Sequence, residues 1–449
     1  MAQSLMRVGY GRQDITPDYP IPLAGYGNTR KRLSQGYVNR LYATCLAFTD
    51  ENQQTMLVYT LDLIVVKKIW SQPVREQVSR LTGIPEKNIM LSATHTHSAP
   101  DVLGVLGPED AYFPFYVEKL TAAALDALAD RSPVTAQWSK VQTQGLTFVR
   151  HYTMADGTVA GDNFGNFKDN PITGHTMPAD EEMLVVQLQR QDKPAIVMVN
   201  WQAHANVAST SSTESGRLLR PFLSSDFVGT CRDYIEQKTG CLFAFFQGAS
   251  GNLNSKSRIP EETPTTDVFV YGQQLGDYVL QALEQLAPLS LNQVQVRSET
   301  YTGKLDHSED HMVPQAQQVF DLWLETNDQI KCMAMSRPMG IHSSYHAGNI
   351  ISRSKQGDSL STELSAASVG ELSFAFAPYE MFCNNGQFIK ANSPAPVTFI
   401  LECSNDYVNY IASKEAFDHG CYEVDSRRFV RGTAEDMADR FVAMLKDMK

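Results

Sequence analysis

The sequence lacks several features that would assign it quickly to a class of protein. Its 449 residues include seven cysteines, an odd number without a C-x-x-C pair, so neither a disulfide framework nor an all-cysteine zinc site is expected. No apolar run reaches the roughly 18–20 residues that span a bilayer, and the longest, 56–66, is interrupted by Asp62. The net charge is −12 without an extended Lys/Arg-rich block, which argues against a nucleic-acid partner.

The amino terminus also lacks the long apolar segment of a secretory signal. We therefore expect a cytoplasmic protein with buried, reduced cysteines, unless a signal has been removed. Hydrophobic residues make up 43% and charged residues 20%, an ordinary composition for a globular protein. No convincing linker is visible, so the sequence predicts one large domain, 1–449, with room for a helical insertion around 304–350. The oligomeric state stays open.

Strand-like aliphatic runs alternate with helical patterns along the chain. The predicted strands are 55–66, 88–93, 182–189, 195–201, 242–246, 293–302, two within 360–377, and 397–401. The predicted helices are 70–82, 112–129, 227–238, 268–286, 314–327 and 434–448. Residues 150–178 are predicted to form a long loop, and 209–216 and 255–266 surface loops. This alternation predicts an α/β (mixed α+β) fold, with a large mixed β-sheet flanked by helices.

The most informative stretch is 91–100, with the sequence LSATHTHSAP. A strand-like run leads into two histidines, His95 and His97, followed by a small-residue turn and a proline. Residues two apart in an extended segment point to the same side, so we expect both imidazoles in one cleft. Because imidazole is the commonest protein ligand for zinc, the motif indicates metal binding or catalysis. The structural alternative is that both rings only hydrogen-bond a loop.

Two other residues complete a plausible ligand set. His204 leaves the carboxyl end of the predicted strand 195–201, a usual position for a residue that faces a cleft. Glu380 follows another predicted strand and is expected to open a helical stretch, where a carboxylate can also be a simple partner of the helix dipole. Two imidazoles and one carboxylate make a catalytic zinc site with an open position for water.

A glycine-rich turn, QGASGNLN at 247–254, and three tyrosines are weaker candidates. The turn lets a backbone approach a ligand closely, although it is not a Walker A sequence. Ser250 lacks the G-x-S-x-G spacing of a nucleophile elbow. Tyr407, Tyr410 and Tyr422 are either packing residues or phenols that ligate a metal or donate to an oxyanion.

Together these segments resemble the neutral/alkaline ceramidase family in its zinc-hydrolase domain. The resemblance runs almost end to end, and its most specific parts are the THTHS and NDYVNY segments. The matching segments are GRQDITP at 11–17, LAGYG at 23–27, THTHS at 94–98, His204, GNLN at 251–254, PYE at 378–380, NDYVNY at 405–410, and Tyr422.

The resemblance implies roles for individual residues. Zinc would be held by four side chains, His95, His204, Glu380 and Tyr410. His97 would be the base near the zinc-bound water, and Tyr422 would contact the scissile carbonyl. Arg150 corresponds more loosely to an arginine that lines the family's site.

Two departures from the family pattern bear on the substrate. The family's glycine-rich turn carries a serine important for ceramide cleavage, and Asn254 occupies that place here. We list Asn254 among the catalytic candidates because its amide can hydrogen-bond a substrate. The chain also ends at Lys449, so we expect it to lack the family's C-terminal immunoglobulin-like domain.

The resemblance implies a zinc-dependent hydrolase that cleaves an amide (N-acyl) bond of a small or lipid-like substrate by attack of zinc-bound water. Three alternatives stay open: a zinc-dependent esterase, another metallohydrolase on a non-lipid substrate, and a zinc-stabilised binding protein without turnover. A metallo-β-lactamase is excluded because Ala99 and Pro100 stand where H-x-H-x-D-H requires Asp and His. An amidohydrolase barrel usually carries H-x-H on its first strand, whereas here a strand and a helix precede it.

Overall fold

The computed structural model describes residues 6–26, 32–165, 167, 170–211, 219–262 and 265–448. Within these ranges the chain forms strands β1–β20 and helices α1–α11. In chain order the strands are Arg7–Asp14, Tyr42–Thr49, Thr55–Leu61, Ile89–Ala93, Ser132–Gln142, Phe148–Val149, His151–Met154, Val159–Gly161, Ile172–His175, Glu182–Arg190, Ile196–Trp201, Leu242–Gln247, Leu253–Asn254, Ala287–Leu289, Val294–Lys304, Ser359–Val369, Leu372–Phe376, Glu380–Met381, Val397–Leu401 and Tyr410–Ile411. The helices are Lys68–Thr82, Tyr112–Ala129, Asp226–Thr239, Val268–Leu283, Val313–Thr326, Gln329–Ser336, Ser344–Ser354, Cys383–Asn392, Ala416–His419, Tyr422–Asp425 and Thr433–Lys446.

The largest sheet has nine strands, in the order β12-β11-β10-β5-β1-β2-β3-β4, with β14 beside β5. Its pairs β3–β4 and β11–β12 are parallel, and its other pairs are antiparallel. Each of these two parallel pairs lies at one edge of the sheet. The carboxyl ends of β4 and β11 therefore belong to parallel pairs, the usual location of a cleft in α/β proteins.

A second sheet, β15-β16-β17-β19, packs face to face on the first. Aromatic side chains join the two layers: the Phe48 and Phe374 rings are 6.2 Å apart, and those of Phe246 and Phe399 6.0 Å. Helices cover both outer faces, α1 to α4 on the nine-stranded sheet and α8 and α11 on the four-stranded sheet. The predicted mixed sheet flanked by helices is confirmed, and a second sheet adds a layer to it.

Close packing of α2 on β1 depends on the glycines of β1. A Cβ atom at Gly9 would lie 1.8 Å from the carbonyl oxygen of Ala127, and one at Gly11 would lie 2.1 Å from that of Ala123. Since no real Cβ approaches a backbone oxygen so closely, only glycine lets the helix lie at this distance. Helix α2 therefore packs directly against the backbone of β1.

Several predicted elements are correct to within a few residues, and α2 and β19 agree at both ends. Three differ. Glu380 was predicted to open a helix, but it lies in β18, paired with Tyr410 of β20, and the helix begins at Cys383. Much of the predicted loop 150–178 forms the small sheet β8-β7-β9. Strands β1, β2 and β5 were not predicted.

The predicted surface loops are also partly wrong. Ser209, Ser211 and Ser255 are buried, and residues 212–216 and 263–264 lie outside the described ranges. Helices α5 to α7 form a local apolar cluster within or next to the predicted insertion. All seven cysteines are free thiols. Among the described residues, no helix has both the length and the apolar character needed to cross a membrane.

Candidate active site

The candidate site lies where both sheets present the carboxyl ends of their strands. His95 follows β4 and His204 follows β11, so the larger sheet supplies both. Glu380 follows β17 and Tyr410 follows β19, and the parallel pairing of β18 with β20 sets these two residues side by side. Residues far apart in the sequence therefore meet at one end of the sandwich.

The imidazoles of His95 and His97 converge through a turn. Strand β4 ends at Ala93, and His95 has a φ of +64°, in the left-handed region. The two rings were predicted to share a cleft because the segment is extended. The segment is not extended at His95, so the reason given for this prediction is wrong. The rings still meet, with centroids 5.0 Å apart. Gly25 makes room for them, because a Cβ there would lie 2.7 Å from the His97 ring.

Three imidazoles form the centre of the site. The ring of His204 lies 4.6 Å from that of His95 and 5.4 Å from that of His97, measured between centroids. One nitrogen from each of the three rings lies within 4.8 Å of the other two. This spacing allows a single ion to be shared among them.

Backbone carbonyls determine which ring nitrogens face that centre. Nδ1 of His95 is 2.7 Å from the carbonyl oxygen of Ile64, and Nδ1 of His204 is 3.0 Å from that of Ser250. A carbonyl oxygen only accepts, so both Nδ1 atoms carry the proton. Each Nε2 is then left with a lone pair, the form in which imidazole binds metals.

Glu380 presents its carboxylate to the same lone pairs. Oε2 lies 3.3 Å from Nε2 of His95 and 3.3 Å from Nε2 of His204. Oε1 accepts a 2.6 Å hydrogen bond from the Tyr407 hydroxyl, whereas no described residue gives Oε2 a hydrogen bond of acceptable geometry.

This donor set fits a divalent metal ion. Two imidazole nitrogens and a buried carboxylate oxygen without a hydrogen bond face one another, and a cation between them would neutralise the carboxylate and use the lone pairs of both rings. The Tyr410 hydroxyl lies 3.2 Å from Nε2 of His204 and can complete the set. All four predicted ligands are thus brought together.

His97 differs from the other two histidines. It is partly exposed, whereas His95 and His204 are buried. Its Nε2 is 3.4 Å from Nε2 of His95, and its Nδ1 finds no partner in the part of the chain that the structure describes. Burial, His95 and His204 lower the pKa of His97 well below its usual value. The ring is therefore neutral and able to accept a proton.

Arg150 and Tyr422 lie beside the predicted ligands His204 and Tyr410. Nη1 of Arg150 is 3.3 Å from Nε2 of His204, and its guanidinium lies 5.5 Å from the Tyr410 ring and 5.7 Å from the Tyr422 ring. The Tyr410 and Tyr422 rings meet edge to face at 5.5 Å. A cation and two phenols therefore border the imidazole cluster on one side.

The side chains of Asn254 and Ser250 form hydrogen bonds with residues outside the imidazole cluster. The side-chain oxygen of Asn254 accepts from the Asn206 side chain over 2.8 Å, and its side-chain NH₂ group donates to Asp162 over 2.8 Å. Ser250 is fully buried and its hydroxyl donates to Glu402, so it is no exposed nucleophile. Asn254 therefore belongs to a polar network with Asn206 and Asp162.

Sequence reasoning missed two buried carboxylates near the site. Glu402 directly follows β19 and accepts from the backbone N–H groups of Ser250 and Met381, and burial raises its pKa to about 7. Glu423 accepts from Arg150 and also contacts His151. The position of Glu402 directly after a strand was an available signal, but nothing in the sequence marks Glu423.

The chain is similar to known proteins in both sequence and fold. Residues 6–242 match the family described as neutral/alkaline non-lysosomal ceramidase, N-terminal. A neutral ceramidase of Pseudomonas aeruginosa (strain ATCC 15692, PAO1) is 24% identical over 275 residues, which cover 60% of this chain and 40% of that protein. The match therefore spans well under half of the relative's length.

Two solved structures have the same fold. A crystal structure of neutral ceramidase from Pseudomonas aeruginosa has a TM-score of 0.71 at 17% identity, covering 98% of this chain and 74% of the other. A structure described as ceramidase complexed with C2 has a TM-score of 0.72 at 16% identity, covering 98% and 75%. Because the family match spans more than half of the chain, this protein belongs to the neutral/alkaline non-lysosomal ceramidase family.

Proposed function

We propose that this protein is a zinc-dependent hydrolase that cleaves an amide (N-acyl) bond in a lipid-like substrate. The observation that carries the proposal is the position of Glu380, whose Oε2 lies 3.3 Å from Nε2 of both His95 and His204. Zinc suits this set because it binds imidazole and carboxylate groups and keeps a position open in catalytic sites. Membership of the ceramidase family supports an amide as the scissile bond.

His95, His204, Glu380 and Tyr410 would hold the metal. When bound, zinc supplies a Lewis acid and lowers the pKa of a coordinated water towards about 7. The residues around it prepare the ligands. The carbonyls of Ile64 and Ser250 fix the tautomers of His95 and His204, and Tyr407 orients Glu380.

His97 is the proposed general base. Its neutral ring takes a proton from the attacking water at Nε2, the atom that faces His95, and returns it to the leaving amine. Its partial exposure supports this role, because a substrate could reach the ring. Tyr422 and Arg150 border the imidazole cluster, and in this proposal they donate hydrogen bonds to the oxygen of the scissile carbonyl.

The substrate class is inferred from the relative and from Asn254, whereas the proposed chemistry is inferred from the arrangement of the imidazoles and Glu380. The neutral ceramidase relative suggests a lipid amide. Asn254, bound to Asn206 and Asp162, replaces the serine of the family pattern and favours a second candidate, cleavage of an ester or of a non-lipid amide. A zinc-stabilised binding protein without turnover is the third.

The test is a panel of N-acyl and ester substrates, ceramide among them, assayed with the zinc-loaded protein before and after chelation. We expect amide turnover that chelation abolishes and added zinc restores. The His95→Ala variant is expected to lose the zinc ion of this site together with turnover. His311→Ala, which removes an exposed histidine of another region, is the matched control and keeps both.

Three outcomes would contradict parts of the proposal. Full turnover by a His95→Ala protein that has lost the zinc ion of this site would overturn the zinc mechanism. Turnover confined to esters would replace the amidase by the esterase. Tight, zinc-dependent binding of N-acyl compounds without product would identify a binding protein.

A further inference from the structure

A second histidine cluster lies outside the candidate active site. His342 precedes α7, His346 lies in its first turn, and Asp425 ends the short helix α10. One atom from each side chain lies within 4.8 Å of the other two. His346 and Asp425 are buried, while the side chain of His342 is 57% exposed. The cluster is thus buried at His346 and Asp425 and open to solvent at His342.

The tautomer of His346 is determined by its neighbours. The backbone N–H of His342 donates to Nδ1 of His346 over 3.3 Å, and a backbone nitrogen only donates. Nδ1 therefore carries a lone pair, and the proton is on Nε2, which donates to Glu309 over 3.2 Å. A histidine that gives its other N–H to a carboxylate has the arrangement found around metal-binding imidazoles.

The ligand atoms of the three side chains lie close together. Nδ1 of His346 lies 3.7 Å from Oδ1 of Asp425, and Nδ1 of His342 lies 2.9 Å from both carboxylate oxygens. An ion among them would replace the His342–Asp425 hydrogen bonds and the contact between the His342 backbone N–H and Nδ1 of His346. The separations of 2.9 and 3.7 Å bracket the roughly 3.3 Å between ligand atoms of a tetrahedral ion with bonds of about 2.0 Å.

We propose that Nδ1 of His342, Nδ1 of His346 and the carboxylate of Asp425 bind a second zinc-class divalent ion, with water as the remaining ligand. Two nitrogens and one carboxylate oxygen suit zinc among the common divalent ions. Binding replaces the Nδ1 proton of His342, which is released to solvent. The inference does not depend on the proposed hydrolase.

The site would join two parts of the molecule. His346 belongs to α7, whose Tyr345 stacks on Tyr422 with ring centroids 5.1 Å apart. Asp425 belongs to α10, which also carries Tyr422 and Glu423. A metal ion here would hold α7 against α10 at the border of the candidate active site. Its role would be structural, because it lies behind the tyrosines.

A third buried group, His151, Cys421 and Glu423, carries no such inference. Glu423 already accepts from Arg150 over 2.6 Å, and a metal would compete with that guanidinium. Burial and the nearby Glu423 raise the pKa of the Cys421 thiol, which disfavours the thiolate that binds metals.

The experiment counts zinc bound by the full chain at pH 8, after loading with Zn²⁺ and gel filtration, by elemental analysis. We expect about two equivalents in the wild type and about one in either His342→Ala or His95→Ala. The double variant is expected to bind none. His311→Ala, which removes another exposed histidine, is expected to keep both.

Wild type, the two single variants and the double variant together separate the two sites. Zinc binding in His342→Ala equal to that of the wild type, or no zinc at all in His95→Ala, would overturn the second site. Failure of the first site would instead leave His95→Ala indistinguishable from the wild type. Because the His342 ring is exposed, its loss leaves the core intact, and circular dichroism verifies the fold. Asp425→Asn is the second variant and is expected to lose the same equivalent.

Discussion

Nε of Arg150 donates a 2.6 Å hydrogen bond to Oε1 of Glu423, and both side chains are buried. Burial raises the pKa of Glu423, but Arg150 and His151 outweigh it and hold that pKa well below its usual range. The carboxylate is thus ionised and determines where the guanidinium lies beside His204. Arg150 owes its place at the site to a residue that the sequence did not mark.

Replacing Glu423 by Gln leaves the Arg150 charge buried without its counterion. We expect the free energy of unfolding to fall by about 3 kcal/mol, the scale for breaking a buried ion pair. Urea unfolding measures it. The control is Asp418→Asn, which breaks the exposed Arg431–Asp418 pair and is expected to cost about 1 kcal/mol or less. Equal losses in the two variants would show that the buried pair contributes no more than a surface pair.

Replacing His97 by Ala separates proton transfer from metal binding. Because the proposal assigns His97 as base and not as ligand, the variant is expected to keep its zinc. Turnover should fall by roughly 10²- to 10⁴-fold, the usual contribution of a general base. Zinc content and kcat are measured on the same preparation. Loss of zinc together with turnover would make His97 a ligand instead.

Tyr407→Phe removes the hydroxyl that donates to Oε1 of Glu380 over 2.6 Å. Groups that orient a metal ligand typically contribute about 10- to 100-fold to metal affinity, so zinc should bind more weakly by that factor. Competition with a chromogenic chelator measures it. Tyr379→Phe is a matched control, since the hydroxyl of this neighbouring buried tyrosine has no hydrogen-bond partner within the described ranges. Equal zinc affinity in both variants would deny Tyr407 this role.

Because the pKa of Asp226 is raised, we expect the free energy of unfolding to depend on pH. Burial raises the pKa of Asp226 to about 6, although three backbone N–H groups oppose the rise. A raised carboxyl pKa stabilises the fold fully below the unfolded value of about 3.8, and this contribution is lost as pH rises through 6. Two pKa units correspond to about 3 kcal/mol.

The measurement is the unfolding free energy of the wild type minus that of Asp226→Asn, at several pH values. The asparagine cannot titrate, so the difference isolates this carboxyl group. It should become less favourable to the wild type by about 3 kcal/mol between pH 4 and pH 7. A difference that does not change with pH would show that the Asp226 pKa is unshifted.

The elements that could be predicted are those with a strong local pattern. Helix α2 was predicted at both ends because its apolar residues recur at helical spacing, and β19 because it is a short aliphatic run. Glu380 was placed at a helix start because the sequence after it looks helical. Its pairing with Tyr410 joins residues 30 positions apart, which no local pattern reveals.

The amino-acid sequence by itself determined the strand and helix pattern, the family and the candidate ligands, because periodicity and short motifs are local properties. Only the tertiary structure decided that His95 and His97 converge through a left-handed turn, that Glu380 Oε2 faces two imidazoles, and that Glu423 holds Arg150. The physical reason is that most of these contacts join segments far apart in the chain. Glu380 of β18 meets histidines that follow β4 and β11, and Glu423 of α10 meets Arg150 between β6 and β7. The turn at His95 is local, but a residue other than glycine gives no sequence signal of a left-handed conformation.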